Sequence, residues 1–120
     1  MKTNKKFLLT TIFGFFLIGM GALHFINPTP FLAFIPEELP QELLNILAGI
    51  AEIGLGFGVF FEPIKKLATL GIFILMLIFL PIHFLDMFRD PPAIGSLTVA
   101  VIRFPLQFVL IYWAWYIYKK

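Results

Sequence analysis

Four apolar stretches, residues 7–26, 43–61, 67–88 and 97–118, constrain this chain more than any other feature. Each is long enough to cross a bilayer, whose hydrocarbon core of about 30 Å needs about 20 helical residues at 1.5 Å apiece. Lipid offers no partner to an open backbone, so such a stretch spans as an α-helix. Turn chemistry separates them: Asn27-Pro28-Thr29-Pro30, Glu62-Pro63-Ile64-Lys65-Lys66 and Arg89-Asp90-Pro91-Pro92. Composition agrees, with 60% apolar and 13% charged residues against about 45–50% and about 25% in a soluble domain. A soluble fold of this size buries only about two-thirds of its surface and would be left with large exposed apolar patches. The expectation is an all-α chain, a four-transmembrane-helix bundle forming one four-span domain over residues 1–120, with the lipid bilayer as its first partner.

Charge sets the expected orientation. Lys2, Lys5 and Lys6 precede the first stretch, Lys65 and Lys66 lie between the second and third, and Lys119 and Lys120 follow the fourth, which accounts for seven of the nine cations. The positive-inside rule puts these places, and with them both termini, on the cytoplasmic side of the cell membrane. Arg89, Glu37, Glu38, Glu42 and Asp90 fall on the other side. Tyr112, Trp113, Trp115, Tyr116 and Tyr118 then read as anchors at the cytoplasmic headgroups. The lysines followed by an apolar run also resemble a secretory signal, but the run exceeds signal length, so the first stretch is expected to stay as a span. The connection at 27–42 holds four prolines and three glutamates beside Phe31, Phe34 and Ile35. It is expected to lie along the outer surface, with a lid over the outer mouth as the sharper alternative. Net charge is only +2, with the cations in short flanking clusters, which argues against nucleic acid as a partner. With no cysteine, disulfides, thiolate metal sites, iron–sulfur clusters and dithiol redox motifs are excluded.

The polar residues inside the stretches are the candidate site. Ionisable side chains at bilayer depth are costly, usually paired and often functional. His24, Glu52, His83, Asp86, Arg103 and Gln107 share one depth range toward the outer side; Arg103 sits about 9 Å and Glu52 about 13 Å below the outer surface at 1.5 Å per residue. Asn45, Gly49, Glu52 and Gly56 form one helical stripe, as do Gly14, Gly21 and His24, and Ser96, Arg103 and Gln107. Stripes of this kind face protein: Gly21, Gly49 and Gly56 allow close helix packing, and the polar groups bond across the gap. Glu52 and Arg103 are expected to pair, so that Arg103→Leu would destabilise the bundle by stranding a charge. Two readings follow for His24, Glu52, His83, Arg103 and Gln107: a register-fixing polar cluster, or a pocket open to the outer side in which a histidine passes protons and Arg103 holds an anion or a quinone oxygen. Two histidines and a glutamate without close ligand spacing do not argue for a metal. Gly54 and Gly58 give a GxxxG spacing suited to a contact within the bundle or to a homo-oligomer seam.

These residues carry a family resemblance. Gly21-Ala22-Leu23-His24-Phe25 with Asn27-Pro28, then Ile35-Pro36, Leu39-Pro40, Gly49-Ile50-Ala51-Glu52-Ile53 with Gly56, Pro81-Ile82-His83, and Arg103-Phe104-Pro105-Leu106-Gln107 together resemble the DoxX-like family over nearly the whole chain. The resemblance implies a small four-helix membrane protein linked to a quinone-reducing oxidoreductase subunit and, more distantly, to redox-associated proteins tied to thiol chemistry. Without cysteine, thiol chemistry cannot be this chain's own, and no haem ligand pair, flavin motif or nucleotide loop is present. The expectation is a membrane component without identified catalytic residues that binds a lipophilic, quinone-like molecule or supports a redox partner protein. An oxidoreductase subunit is the second choice. A small transporter comes third, because broken helices and inverted repeats are lacking.

Overall fold

Prolines mark where the helices begin and where the chain turns between them. The computed structural model describes residues 2–119, with side chains from Lys5 onward; Lys120 and the side chain of Lys2 lie outside the described residues. Helix α1 (Lys2–Ile26) stops at Asn27-Pro28, and α2 (Thr29–Leu32) is one turn with Pro30 at its start. Helix α3 (Gln41–Gly58) begins directly after Pro40, with Glu42 in the first turn, where the helix dipole favours an acid. Helix α4 (Glu62–Asp86) has Pro63 in its first turn, where the missing N–H costs nothing. Helix α5 (Leu97–Tyr118) is capped by Ser96, whose Oγ accepts from the Val99 N–H at 3.2 Å. Before it, Gly95 has φ +126°, a conformation that side chains rarely tolerate.

The four long helices pack as two pairs. α1 lies along α3 and α4 along α5; the pairs meet chiefly where α3 touches α4, with a thinner seam between α1 and α5. Glycine sets the α1–α3 distance. A Cβ on Gly21 would stand 2.6 Å from Ile53 and 2.9 Å from the Gly49 carbonyl oxygen, and one on Gly56 would stand 2.8 Å from the Gly14 carbonyl. Gly21, Gly49 and Gly56 thus form the expected contact, and it is backbone against backbone. The Gly54–Gly58 spacing is not one seam: Gly58 faces Ala68 of α4, whereas nothing lies within 4 Å of a Cβ on Gly54.

The expectation of four spanning helices needs correction. Among the described residues three helices are long and apolar enough to cross a membrane, Lys5–Ile26, Glu62–Asp86 and Leu97–Tyr118, of 22, 25 and 22 residues, and they mark a membrane protein. α3 is not among them. Its 18 residues rise about 27 Å, and Gln41, Glu42, Asn45 and Glu52 interrupt its apolar character. The stretch at 43–61 overstated its length because Val59, Phe60 and Phe61, apolar as they are, form the turn into α4.

The two ends of the bundle differ. One end is closed by a packed core of Phe13, Leu17, Val59, Ala68, Ile72, Met76, Ala114 and Ile117. Cations gather beyond it: Lys6 is within electrostatic reach of Lys65, Lys66 and Lys119, and Lys66 Nζ donates to the Tyr118 carbonyl at 2.7 Å. Tyr112 and Trp115 stay exposed there. Trp113 is not a simple anchor, since its ring packs 4.6 Å from Phe13 and its Nε1–H donates to the Leu9 carbonyl at 3.2 Å. At the other end the pairs stand apart, and α2 with its flanking loop covers the gap.

Candidate functional site

That gap is a cavity of about 610 Å³, within the range of small-molecule sites. Its walls are mainly aliphatic and aromatic, and the polar side chains lining it are His24, Asn45, Glu52, His83 and Arg103. Four of the five expected site residues therefore meet at one place, drawn from α1, α3, α4 and α5. Gln107 does not line it. Buried on α5, Gln107 donates Nε2–H to the Met76 carbonyl at 2.7 Å, beside the Leu77 carbonyl that Pro81 leaves without its helical donor. Its role is to join α4 to α5.

The polar lining falls into two poles. On the α1–α3 side, His24 Nδ1 is 2.6 Å from Asn45 Oδ1 and His24 Nε2 is 3.0 Å from Glu52 Oε2, with all three residues buried. Asn45 sits seven residues before Glu52 and so shares its helix face. Asn45 Nδ2–H donates to the His24 backbone carbonyl at 2.8 Å, and a carbonyl only accepts, so the amide orientation is fixed and its Oδ1 must face Nδ1. Nδ1 is therefore the N–H donor. The Nε2–carboxyl contact then needs one proton between the two groups, carried either by the imidazole or by the acid. Phe31 stacks on the imidazole with ring centroids 3.9 Å apart.

On the α4–α5 side, His83 and Arg103 line the cavity, and the His83 ring meets Phe34 edge-on at 5.4 Å. The expected Glu52–Arg103 pair does not form: Glu52 is taken by His24, and among the described residues no carboxylate lies within ion-pairing distance of Arg103. The two residues belong to different helix pairs, and the cavity separates the pairs. Arg103 Nη1 is buried without a hydrogen-bond partner, at a depth where a charge costs about 3 kcal/mol or more. Asp86, also expected in the polar range, is structural. It accepts from the Ala93 and Ile94 backbone N–H groups at 2.6 and 3.2 Å, which shapes the turn into α5. Among the described residues no three His, Asp or Glu side chains gather as a metal-holding group.

The connection at 27–40 packs over the cavity, as the lid alternative has it, while most of its residues stay exposed. Phe31, Phe34, Ile35, Pro36 and Leu39 all line the cavity. Two side chains from outside the segment tie it down: Gln41 donates to the Leu32 and Ile35 carbonyls at 3.2 and 2.7 Å, and Arg89 donates to the Ala33 carbonyl at 2.6 Å. Asn45, Phe31 and Phe34 are the site residues that the candidate set from the sequence omits. Asn45 had a signal in its register with Glu52; the two phenylalanines had none beyond a mixed apolar loop.

A family described as a domain of unknown function, DUF8561, matches residues 13–118. No curated protein and no solved structure matches the chain. The matched region takes in every side chain lining the cavity, from Phe16 to Leu110, and the chain belongs to the DUF8561 family.

Proposed function

We propose that this protein is a membrane component, not itself catalytic, that binds a small lipophilic molecule in the cavity between its two helix pairs. The observation that carries this reading is Arg103 on the wall of a mainly apolar space of about 610 Å³, with no carboxylate among the described residues in ion-pairing distance. A guanidinium charge left unbalanced inside a span is expensive, and a ligand's polar head would relieve it while its body fills the rest. The lid of Phe31 and Phe34 and the fixed His24–Asn45–Glu52 array give one end of such a ligand an aromatic and hydrogen-bonding surface. The resemblance to DoxX-like proteins supports quinones as candidates and a redox protein as a partner.

The cation-bearing end is proposed to face the cytoplasm and the cavity the outer leaflet of the cell membrane. The gathering of Lys6, Lys65, Lys66 and Lys119 at one end supports this. Native mass spectrometry of the protein extracted gently with its lipids tests the binding reading. A retained adduct of small lipophilic mass is expected, lost in Ala48→Phe or Ala51→Phe, which put a ring into the cavity wall. A wild-type protein that carries no such adduct and binds none on addition would overturn it.

A further inference from the structure

The charges on the cavity wall narrow the ligand. Four ionisable side chains line it: His24, Glu52, His83 and Arg103. Glu52 and His24 hold one proton between them across their 3.0 Å contact, and whichever group carries it, the pair sums to zero charge. Asp86, the acid nearest in sequence to His83, has its two oxygens engaged by the Ala93 and Ile94 N–H groups, with Arg89 Nη1 4.0 Å away. His83 contributes no negative charge in either protonation state. Arg103 is thus left with a positive charge that no described side chain balances, and with a buried N–H that no described atom accepts.

A guanidinium in apolar surroundings matches one class of group above others, the planar or tetrahedral oxyanion that accepts two of its N–H donors at once. The remaining wall of the cavity is aliphatic and aromatic, and its volume suits one apolar body. We infer that the ligand is an amphiphile with a single anionic head, a carboxylate or a phosphate monoester, seated on Arg103. This rests on the lipophile-binding reading above and sharpens it: a neutral quinone would fill the space but leave the Arg103 charge unbalanced.

The test compares four probes on the full chain in nanodiscs of zwitterionic lipid: hexadecanoic acid, hexadecyl phosphate, hexadecanol and a decyl-substituted quinone, each competed in native mass spectrometry. One or both anions should bind about tenfold to a hundredfold tighter than the alcohol of equal length. Whichever of the two binds tighter identifies the head as a fatty-acid carboxylate or a lipid phosphate. The preference should vanish in Arg103→Gln while hexadecanol binding persists, and should survive in part in Arg103→Lys. The acid–alcohol comparison is made on the wild-type chain, so it does not depend on any variant folding. Equal affinity for acids and alcohol, or tighter binding of the quinone than of either anion, would overturn the anionic head and leave the lipophile reading standing. Failure of all four probes to bind would take down both.

Discussion

The closed end of the bundle and the open end are built from the same four helices, yet they solve opposite problems. At the closed end Phe13, Leu17, Ile72 and Ala114 interlock with almost no exposed surface, and the polar groups there are few and locally satisfied, as when Thr10 and Thr69 donate to the carbonyls of Lys6 and Lys66 at 2.7 and 2.9 Å. At the open end the helix pairs separate, and His24, Asn45, Glu52, His83 and Arg103 face the space between them. The contrast teaches where polar groups can be kept in a membrane protein. They sit where packing is given up, with one subset neutralised internally and one group, Arg103, left available.

Substitutions can break that contrast, and the largest effect should come from Glu52→Leu. It strands His24 Nε2 in a buried site, with an expected loss of about 2–3 kcal/mol in detergent unfolding. Glu52→Gln should cost under about 1 kcal/mol, because its amide N–H can donate to an Nε2 that Asn45 keeps as an acceptor. Equal losses for the two variants would show that the proton assignment is wrong. Next comes Gly21→Val, which forces α1 away from the α3 backbone at a cost of about 1–3 kcal/mol; helix separation measured by spin-label distances should increase together with the loss. Smaller still is Gln107→Leu, which removes a bond to Met76 but also removes the buried, unpartnered Oε1. Its unfolding midpoint should correspond to a change within about 1 kcal/mol of wild type. Gly54→Ala should be the mildest, at or slightly above wild-type stability, because nothing faces that position.

Much of the fold could be read from residue order. The first, third and fourth apolar stretches became α1, α4 and α5 to within a few residues, because Asn27-Pro28, Pro63 and Ser96 act locally. The second stretch could not be measured so well. Hydropathy does not distinguish Val59, Phe60 and Phe61 in a turn from the same residues in a helix, so the stretch at 43–61 reads as longer than α3 is. The site was legible in part for a similar reason. Helical register put Asn45 with Glu52 and Gly21 with His24, but register says nothing about which helices become neighbours. Glu52 and Arg103 matched in depth and charge, yet α1 rather than α5 lies against α3, and His24 is the group that reaches the carboxylate. The lid was the least visible, since contacts such as Arg89 to Ala33 are set by tertiary folding alone.

The central feature of the site is that Glu52 pairs with His24 and not with Arg103. Two double-mutant cycles on unfolding free energy measure this directly, one combining Glu52→Leu with His24→Leu and the other Glu52→Leu with Arg103→Leu. A coupling of about 1 kcal/mol or more is expected in the first and none beyond about 0.5 kcal/mol in the second, with Arg103→Leu alone as stable as wild type. The reverse pattern, strong coupling to Arg103 and none to His24, would contradict it and return Arg103 to a structural role.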